Sequence, residues 1–332
     1  MSHKIDRTFL SPLAAHMQRF LLQKRAIGYR YGCEERTLYN LDLLFRELVS
    51  PDDPVITREI AEAVVAKRPH EHEKTRSHRT VVLRQLCRFL ACYEPRTFMP
   101  PAGFGGLARD FFQPRILSQE EARRFLEACI NLRQHGLSPL RPAVHGTMLL
   151  LLYTTGLRLG EAQRLTLADV DLAQGVLQIR NTKFGKDRLV PMAGDMVERM
   201  RWCREEVERC CGPRPAQAPF FPSTTNAAAP CDGNSLVKTY RLILNTIGIT
   251  HRPGQGPRIH DLRHTFAVHR LLRWYEEGAN LAARLPLLAT YLGHSSVYTS
   301  QRYLHFTEDF LQSITDRTDR HYGFLLAPEG QP

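Results

Sequence analysis

The chain has no long hydrophobic run: the longest, Met148 to Tyr153, falls far short of the roughly 20 residues that span a bilayer. Its opening residues have no apolar core of the kind a secretory signal needs, so a cytoplasmic, nucleoid-associated protein with no membrane partner is expected. Cysteine occurs eight times, at 33, 87, 92, 129, 203, 210, 211 and 231, but never as a CxxC pair. The adjacent Cys210-Cys211 is not a zinc spacing, so reduced thiols are expected, several on helical apolar faces. No GxGxxG or GxxxxGK loop is present, nor a carboxylate-rich metal cluster, so neither a cofactor nor a metal is expected. No internal repeat is evident.

What is present suits a globular protein. Over 332 residues, 43% are hydrophobic and 24% charged, enough to bury a sizeable core and most naturally divided between two domains. The net charge of +11 favours nucleic acid over an acidic protein surface as partner. The excess is shared: residues 1–110 carry 18 Lys/Arg against 13 Asp/Glu, and residues 111–332 carry 27 against 21. That is the pattern of two basic lobes, and not of a basic tail on a neutral enzyme.

Apolar spacing predicts a helix over 8–25, with Phe9, Leu10, Leu13, Met17, Phe20 and Leu21 inward, and another over 35–49, with Leu38, Leu41, Leu44, Phe45 and Leu48 inward. Thr57 reads as the N-cap of a short third helix. A fourth, over 75–92, turns Val81, Val82, Leu86, Phe89 and Leu90 inward. Its approach and early turns carry Lys67, Arg68, Lys74, Arg76, Arg79, Arg84 and Arg88, opposed only by Glu71 and Glu73, and this run reads as either a solvated face or a phosphate-contacting one. Residues 1–93 thus read as a helical domain, and the Pro/Gly-rich 94–116 as a linker. Ser118 and Glu121 form a capping box opening the second domain, 117–306. There, helices are predicted at 118–133, 142–154, 195–210, 235–247, 260–276 and 284–292. Strands 176–180 and 188–192 are joined by a turn carrying Lys183 and Lys186, the 212–234 loop is expected to be mobile, and a tail runs over 307–332. The predicted fold class is mainly α with a small antiparallel β-sheet.

Several polar residues resist a purely structural reading. Arg158, between Leu157 and Leu159, either pairs with Glu161 or is aimed at an anion. His260 and Arg263 share a face at a helix N-terminus, where the dipole favours an anion. Zinc on His260 and His264 is disfavoured, because no Glu follows the first His and Arg263 between the two would repel a cation. His294 follows Gly293 as a helix-capping residue would, and Tyr303 lies nine residues on, with Tyr298 as a second phenol. Together these types suit metal-free cleavage of a DNA phosphodiester: cations for the transition state, an in-line phenol, and acid–base groups.

The ordered motifs Thr-Gly-Leu-Arg158-x-x-Glu161, Thr-Lys183-x-x-Lys186, His260-Asp-Leu-Arg263-His-Thr-Phe-Ala, Leu-Gly-His294-Ser-Ser and Tyr303 resemble the tyrosine recombinase/phage integrase family, over about residues 115–306. The resemblance implies that Arg158 and Arg263 clamp the scissile phosphate and that Lys183, ahead of Lys186, is the general acid. It also implies that His260 assists proton transfer, that His294 hydrogen-bonds a non-bridging oxygen and that Tyr303 attacks to give a 3′-phosphotyrosyl intermediate. Glu161 and His264 are then supporting residues. The spacing from His294 favours Tyr303 over Tyr298. The implied partner is double-stranded DNA with specific recombination sites, clamped by the two lobes. The implied assembly is a dimer per site and a tetramer on paired sites, with the tail docking on a neighbour, other recombinases as further partners, and a mobile element as setting. Segments 212–234 and 273–286, longer than a minimal member needs, are candidates for subunit or accessory contacts. The rival readings are a type IB topoisomerase-like relaxing enzyme and a catalytically silent DNA-binding accessory protein.

Overall fold

A computed structural model of the chain describes residues 8–29, 31–105, 114–134, 136, 138–180, 187–226, 228–249, 257–294, 296, 300 and 303. It is mainly helical with one small sheet. The chain divides into two compact units, 1–111 and 112–332.

In the first unit, α1 (Ala14–Ala26), α2 (Gly32–Leu48), α3 (Arg58–Val65) and α4 (Glu73–Leu90) enclose a core that includes Phe20, Leu38, Phe45, Val64, Leu83 and Leu86. Thr57 caps α3 by accepting from the Ile60 amide, as its position predicts. The buried Asp42 accepts the Leu10 and Ser11 amides and the Arg46 guanidinium, which fixes the approach to α1. Three expected inward residues are exposed: Leu10, Leu48 and Val81. Leu10 precedes the helix, which begins only at Ala14. Val81 is off the buried stripe of α4, which runs through residues 79, 82, 83, 86, 87 and 90 at i, i+3, i+4, i+7 spacing.

That stripe also corrects the reading of Arg79 as a DNA contact. Its side chain is buried, pairs with both oxygens of Glu71 at 2.6 and 2.9 Å, and donates to the Ala66 carbonyl. Arg76 is half-buried and donates through Nε to the Val65 carbonyl. Lys67, Arg68 and Lys74 are exposed, with Lys67 paired to Glu73, and Arg84 is half-buried. The Pro/Gly-rich stretch is packed as far as residue 105: Phe98 donates its amide to Ile56, and its ring meets Phe104 on the first unit's core.

In the second unit, the Ser118–Glu121 capping box opens α5 (Gln119–Ile130). A π-helical turn, Pro142–Gly146, runs into α6 (Thr147–Thr155). The longest apolar run of the sequence falls in α6, which is buried through Met148–Leu152 and packs against α5, α8 and α10. Next come α7 (Leu159–Arg164) and the sheet: β1 (Val170–Asp171), which the sequence reading missed, β2 (Val176–Ile179) and β3 (Arg188–Pro191), antiparallel in that order. Ile179 pairs with Arg188, so Arg188 stands at the turn end of the β2–β3 ladder, and the connecting residues 181–186 lie outside the described residues. Then follow α8 (Gly194–Cys211), α9 (Gly233–Thr246), α10 (Ile259–Glu276) and α11 (Leu281–Leu292).

The expectation of a mobile 212–234 loop needs correction. Phe220, Phe221 and Cys231 are buried in the second unit's core, and the loop's backbone bonds to Leu165 and Leu167. Pro and Ala content signalled irregular backbone, but two adjacent aromatic residues supply burial that holds it in place. Segment 273–286 is the end of α10, a short turn and the start of α11, with the guanidinium groups of Arg270 and Arg284 at 6.0 and 5.9 Å from the Trp274 ring. Among the cysteines, 87, 129, 203 and 231 are buried thiols. No described helix is long and apolar enough to cross a membrane.

Candidate active site

Two helix ends organise the site. The αL residue Gly156 terminates α6, and Gly293, also αL, terminates α11. A Cβ on Gly156 would lie 2.6 Å from the Phe266 ring, and one on Gly293 would lie 2.8 Å from the Arg188 guanidinium, and the positive φ at both positions strains any other residue there. Each glycine is followed closely by a residue of interest, Arg158 two positions on and His294 one position on.

The last carbonyls of a helix have no intrahelical partner, and they carry the negative end of its dipole. Here three consecutive carbonyls at the end of α11 are taken by three arginines. Arg188 Nε donates to Tyr291 at 2.9 Å, Arg263 Nη2 to Leu292 at 2.7 Å, and Arg158 Nη2 to Gly293 at 3.2 Å. Arg263, on the first turns of α10, also donates through Nη1 to the Gly156 carbonyl at 2.7 Å and thereby ties the ends of α6 and α11 together. It is only 2% exposed. Burial, and then the neighbouring Arg158, push its guanidinium down to about 10.

Glu161 is the one carboxylate in direct contact with this group among the described residues. Its Oε1 accepts from Arg158 Nη1 at 2.8 Å and Arg188 Nη1 at 3.1 Å, and its Oε2 from the Arg158 amide at 3.0 Å and Arg188 Nη2 at 2.8 Å. Burial works to raise its pKa, but the Arg188 and Arg158 bonds outweigh it and hold the carboxyl down at about 2. Three guanidinium groups against one carboxylate leave two positive charges without a matching anion among the described residues.

The aromatic side of the site is formed by α10 and the residues after α11. His260 and His264, one helical turn apart, meet edge-to-face at 4.9 Å between centroids. Tyr303 is 5.5 Å from His264 and 6.0 Å from His294, the latter near-parallel at 28°. It is 4% exposed and belongs to the apolar cluster that includes Phe266, Leu271 and Leu292. His294 Nδ1 is 2.8 Å from the buried Ser300 hydroxyl. His264 Nδ1 is buried without a hydrogen-bond partner among the described residues. Burial first, and then surrounding positive charge, lower all three histidines: His264 to about 3, His294 to about 4, and His260, whose edge stays open to solvent, in the same direction. All three are neutral at pH 7.

The structure therefore gathers Arg158, Glu161, His260, Arg263, His264, His294 and Tyr303 from four separate stretches. Lys183, Lys186 and Tyr298 lie outside the described residues. Two contributors were missed from the sequence, Arg188 and Ser300. For Arg188 a signal existed, a charge opening an otherwise apolar strand, Leu189-Val190. Ser300 had none beyond a serine-rich turn. No group of three or more His, Cys, Asp or Glu among the described residues is placed to hold a metal ion.

The chain has known relatives in sequence and in fold. The phage integrase family model matches residues 115–309. The y4rB protein of Sinorhizobium fredii, designated an integrase/recombinase, is 33% identical over 316 residues, covering 94% of this chain and 99% of its own. Tyrosine recombinase XerA of Pyrococcus horikoshii is 27% identical over 209 residues, 61% of each chain. In fold, the chain is similar to the XerH site-specific recombinase bound to palindromic difH substrate (TM-score 0.64, 21% identity, 84% of this chain and 78% of that one). It is also similar in fold to the Tn1549 transposon integrase in complex with transposon right end DNA (TM-score 0.60, 18% identity, 91% and 98%). The chain belongs to the phage integrase family, the tyrosine recombinases.

Proposed function

We propose that the protein is a site-specific DNA recombinase that cleaves and rejoins strands through a 3′-phosphotyrosyl intermediate on Tyr303. The observation that carries this reading is a buried phenol flanked by two neutral imidazoles and close to Arg263 in a cluster with two unmatched positive charges. A phenol is a poor nucleophile until its proton is taken, and by the sequence motif His260, whose ring meets that of His264, assists in taking it. Arg158 and Arg263 neutralise the non-bridging oxygens, a role for which a planar fork of N–H donors is suited. When Ser300 donates to His294 Nδ1, the His294 Nε2–H is left to donate to one of those oxygens.

The Tyr303 oxygen bonds to phosphorus as the bond to the 5′ oxygen breaks. That oxygen takes a proton, from Lys183 by the sequence motif, and leaves as a 5′ hydroxyl. The 5′ hydroxyl of a partner strand reverses each step, and the phosphodiester count is conserved without a cofactor. Lys67, Arg68 and Lys74 on the first unit supply phosphate contacts, which makes binding steeply salt-dependent. A dimer on each site, a tetramer on paired sites and a mobile element as the setting complete the reading. It is supported by relatives of nearly the same length and by a fold shared with a transposon integrase.

A suicide duplex drawn from DNA flanking the gene tests this. A covalent protein–DNA band that forms in EDTA and is absent from Tyr303→Phe is expected, with DNA affinity within about threefold of wild type. Strict metal dependence, or a band of undiminished intensity from Tyr303→Phe, overturns it.

A further inference from the structure

We infer that Arg188 is a positioning residue for this reaction, setting the orientation of Arg158 through Glu161 and the carbonyl end of α11. The inference rests on the reading of Arg158 as a clamp on the scissile phosphate, and concerns a residue outside that clamp.

Arg188 spends all three guanidinium nitrogens on the protein: Nε on the Tyr291 carbonyl, Nη1 and Nη2 on the two oxygens of Glu161. Its side chain is 10% exposed. Geometry of that kind leaves it poorly placed to grip a ligand itself, and well placed to hold its neighbours. Arg158 is the more exposed of the two, with its side chain 35% exposed, and it donates to Glu161 and to the Gly293 carbonyl. Both partners depend on Arg188. Glu161 receives two of its four hydrogen bonds from Arg188, and the residues before Gly293 are tied down through the Tyr291 carbonyl. Gly293 in turn leaves room for the Arg188 guanidinium, which a Cβ would meet at 2.8 Å. Because Arg188 opens β3 and pairs with Ile179 across the hairpin, the same contacts fix this end of the β2–β3 ladder against α11. A lysine at 188 carries the charge but not the fork, and cannot reach both carboxylate oxygens and a carbonyl at once.

The test is single-turnover cleavage of a suicide duplex, with the scissile position as either a phosphodiester or an uncharged methylphosphonate. On the phosphodiester, Arg188→Ala and Arg188→Lys are expected to slow cleavage by roughly 10²-fold, the loss typical of a clamp displaced by about 1 Å, with DNA affinity within about threefold. On the methylphosphonate, whose reacting group has no charge for Arg158 to neutralise, the deficit shrinks to below about tenfold. In a Glu161→Gln background, Arg188→Ala costs less than about threefold more, since both act through one chain of contacts. An equal deficit on both substrates, or full additivity with Glu161→Gln, overturns the inference and leaves Arg188 a structural residue. Should the alanine variant fail to fold, the lysine variant carries the same readouts. Wild-type protein that forms no adduct overturns the recombinase reading and this inference with it, whereas an active wild type with an equally active Arg188→Ala overturns this inference alone.

Discussion

Both units bury arginine, and they do so in opposite ways. In the first, Arg79 meets Glu71 one to one, with both carboxylate oxygens engaged and a backbone carbonyl taking a further N–H. The charges cancel, and the pair holds α4 against the segment before it. In the second, Arg158, Arg188 and Arg263 converge around Glu161 alone, and helix-end carbonyls supply the remaining acceptors. Carbonyl dipoles make that crowding tolerable without neutralising it. Burial of a guanidinium is therefore not itself a mark of function; an imbalance kept unneutralised in the protein is.

The largest effect that would sharpen this contrast is on stability. Arg79→Ala strands the buried Glu71 carboxylate and is expected to cost about 3–5 kcal/mol in denaturant unfolding, while cleavage per folded molecule stays at the wild-type level. Arg263→Ala is expected to do the reverse, lowering cleavage by about 10²–10³-fold with DNA binding changed by less than about tenfold in a filter assay. Equal losses in binding and cleavage would reduce Arg263 to a phosphate-positioning contact.

Acid should separate the units more gently. His264, His294 and His145 in the second unit have pKa values pushed by burial to about 3, 4 and 4, from an ordinary 6.5. A depressed folded-state value stabilises the native form above pH 6.5 and is lost as pH falls below it. Glu161 adds a further loss below its ordinary 4.5, toward about 2. Stability is expected to fall between pH 6.5 and 5, visible as a falling thermal midpoint, and a flat profile over that range would contradict the burial of these rings. The smallest effect belongs to replacing Arg79 and Glu71 together by Met and Leu, expected within about 1 kcal/mol of wild type because neither charge is left stranded.

How far the sequence disclosed this depends on what each feature is made of. Local signals were legible: the Thr57 cap, the Ser118–Glu121 box and the apolar α6 arise from residues within a turn or two of each other. The site was legible because its residue types stand in a fixed order, although the spacing alone favoured Arg158 as a partner of Glu161, and it is one. What stayed hidden is long-range. Arg188 reaches residues 27 and 103 positions away, and only the packing of α11 on β3 brings them together. Arg79 read as one more cation on a basic helix because charge argues for solvent, although its spacing from Val82 and Leu83 puts it on the buried face, as Val81 is off it, and its partner Glu71 lies before the helix. The 212–234 loop read as mobile because composition gives no hint that Phe220 and Phe221 have a core to enter.

The central claim is that Tyr303 carries the DNA between cleavage and rejoining. Its most direct test is to trap the adduct on a suicide duplex, digest the protein, and identify the peptide that bears the 3′ phosphate. The account predicts a single modified residue, Tyr303. Modification at Tyr298, or at no tyrosine in a sample that has cut its DNA, would contradict it.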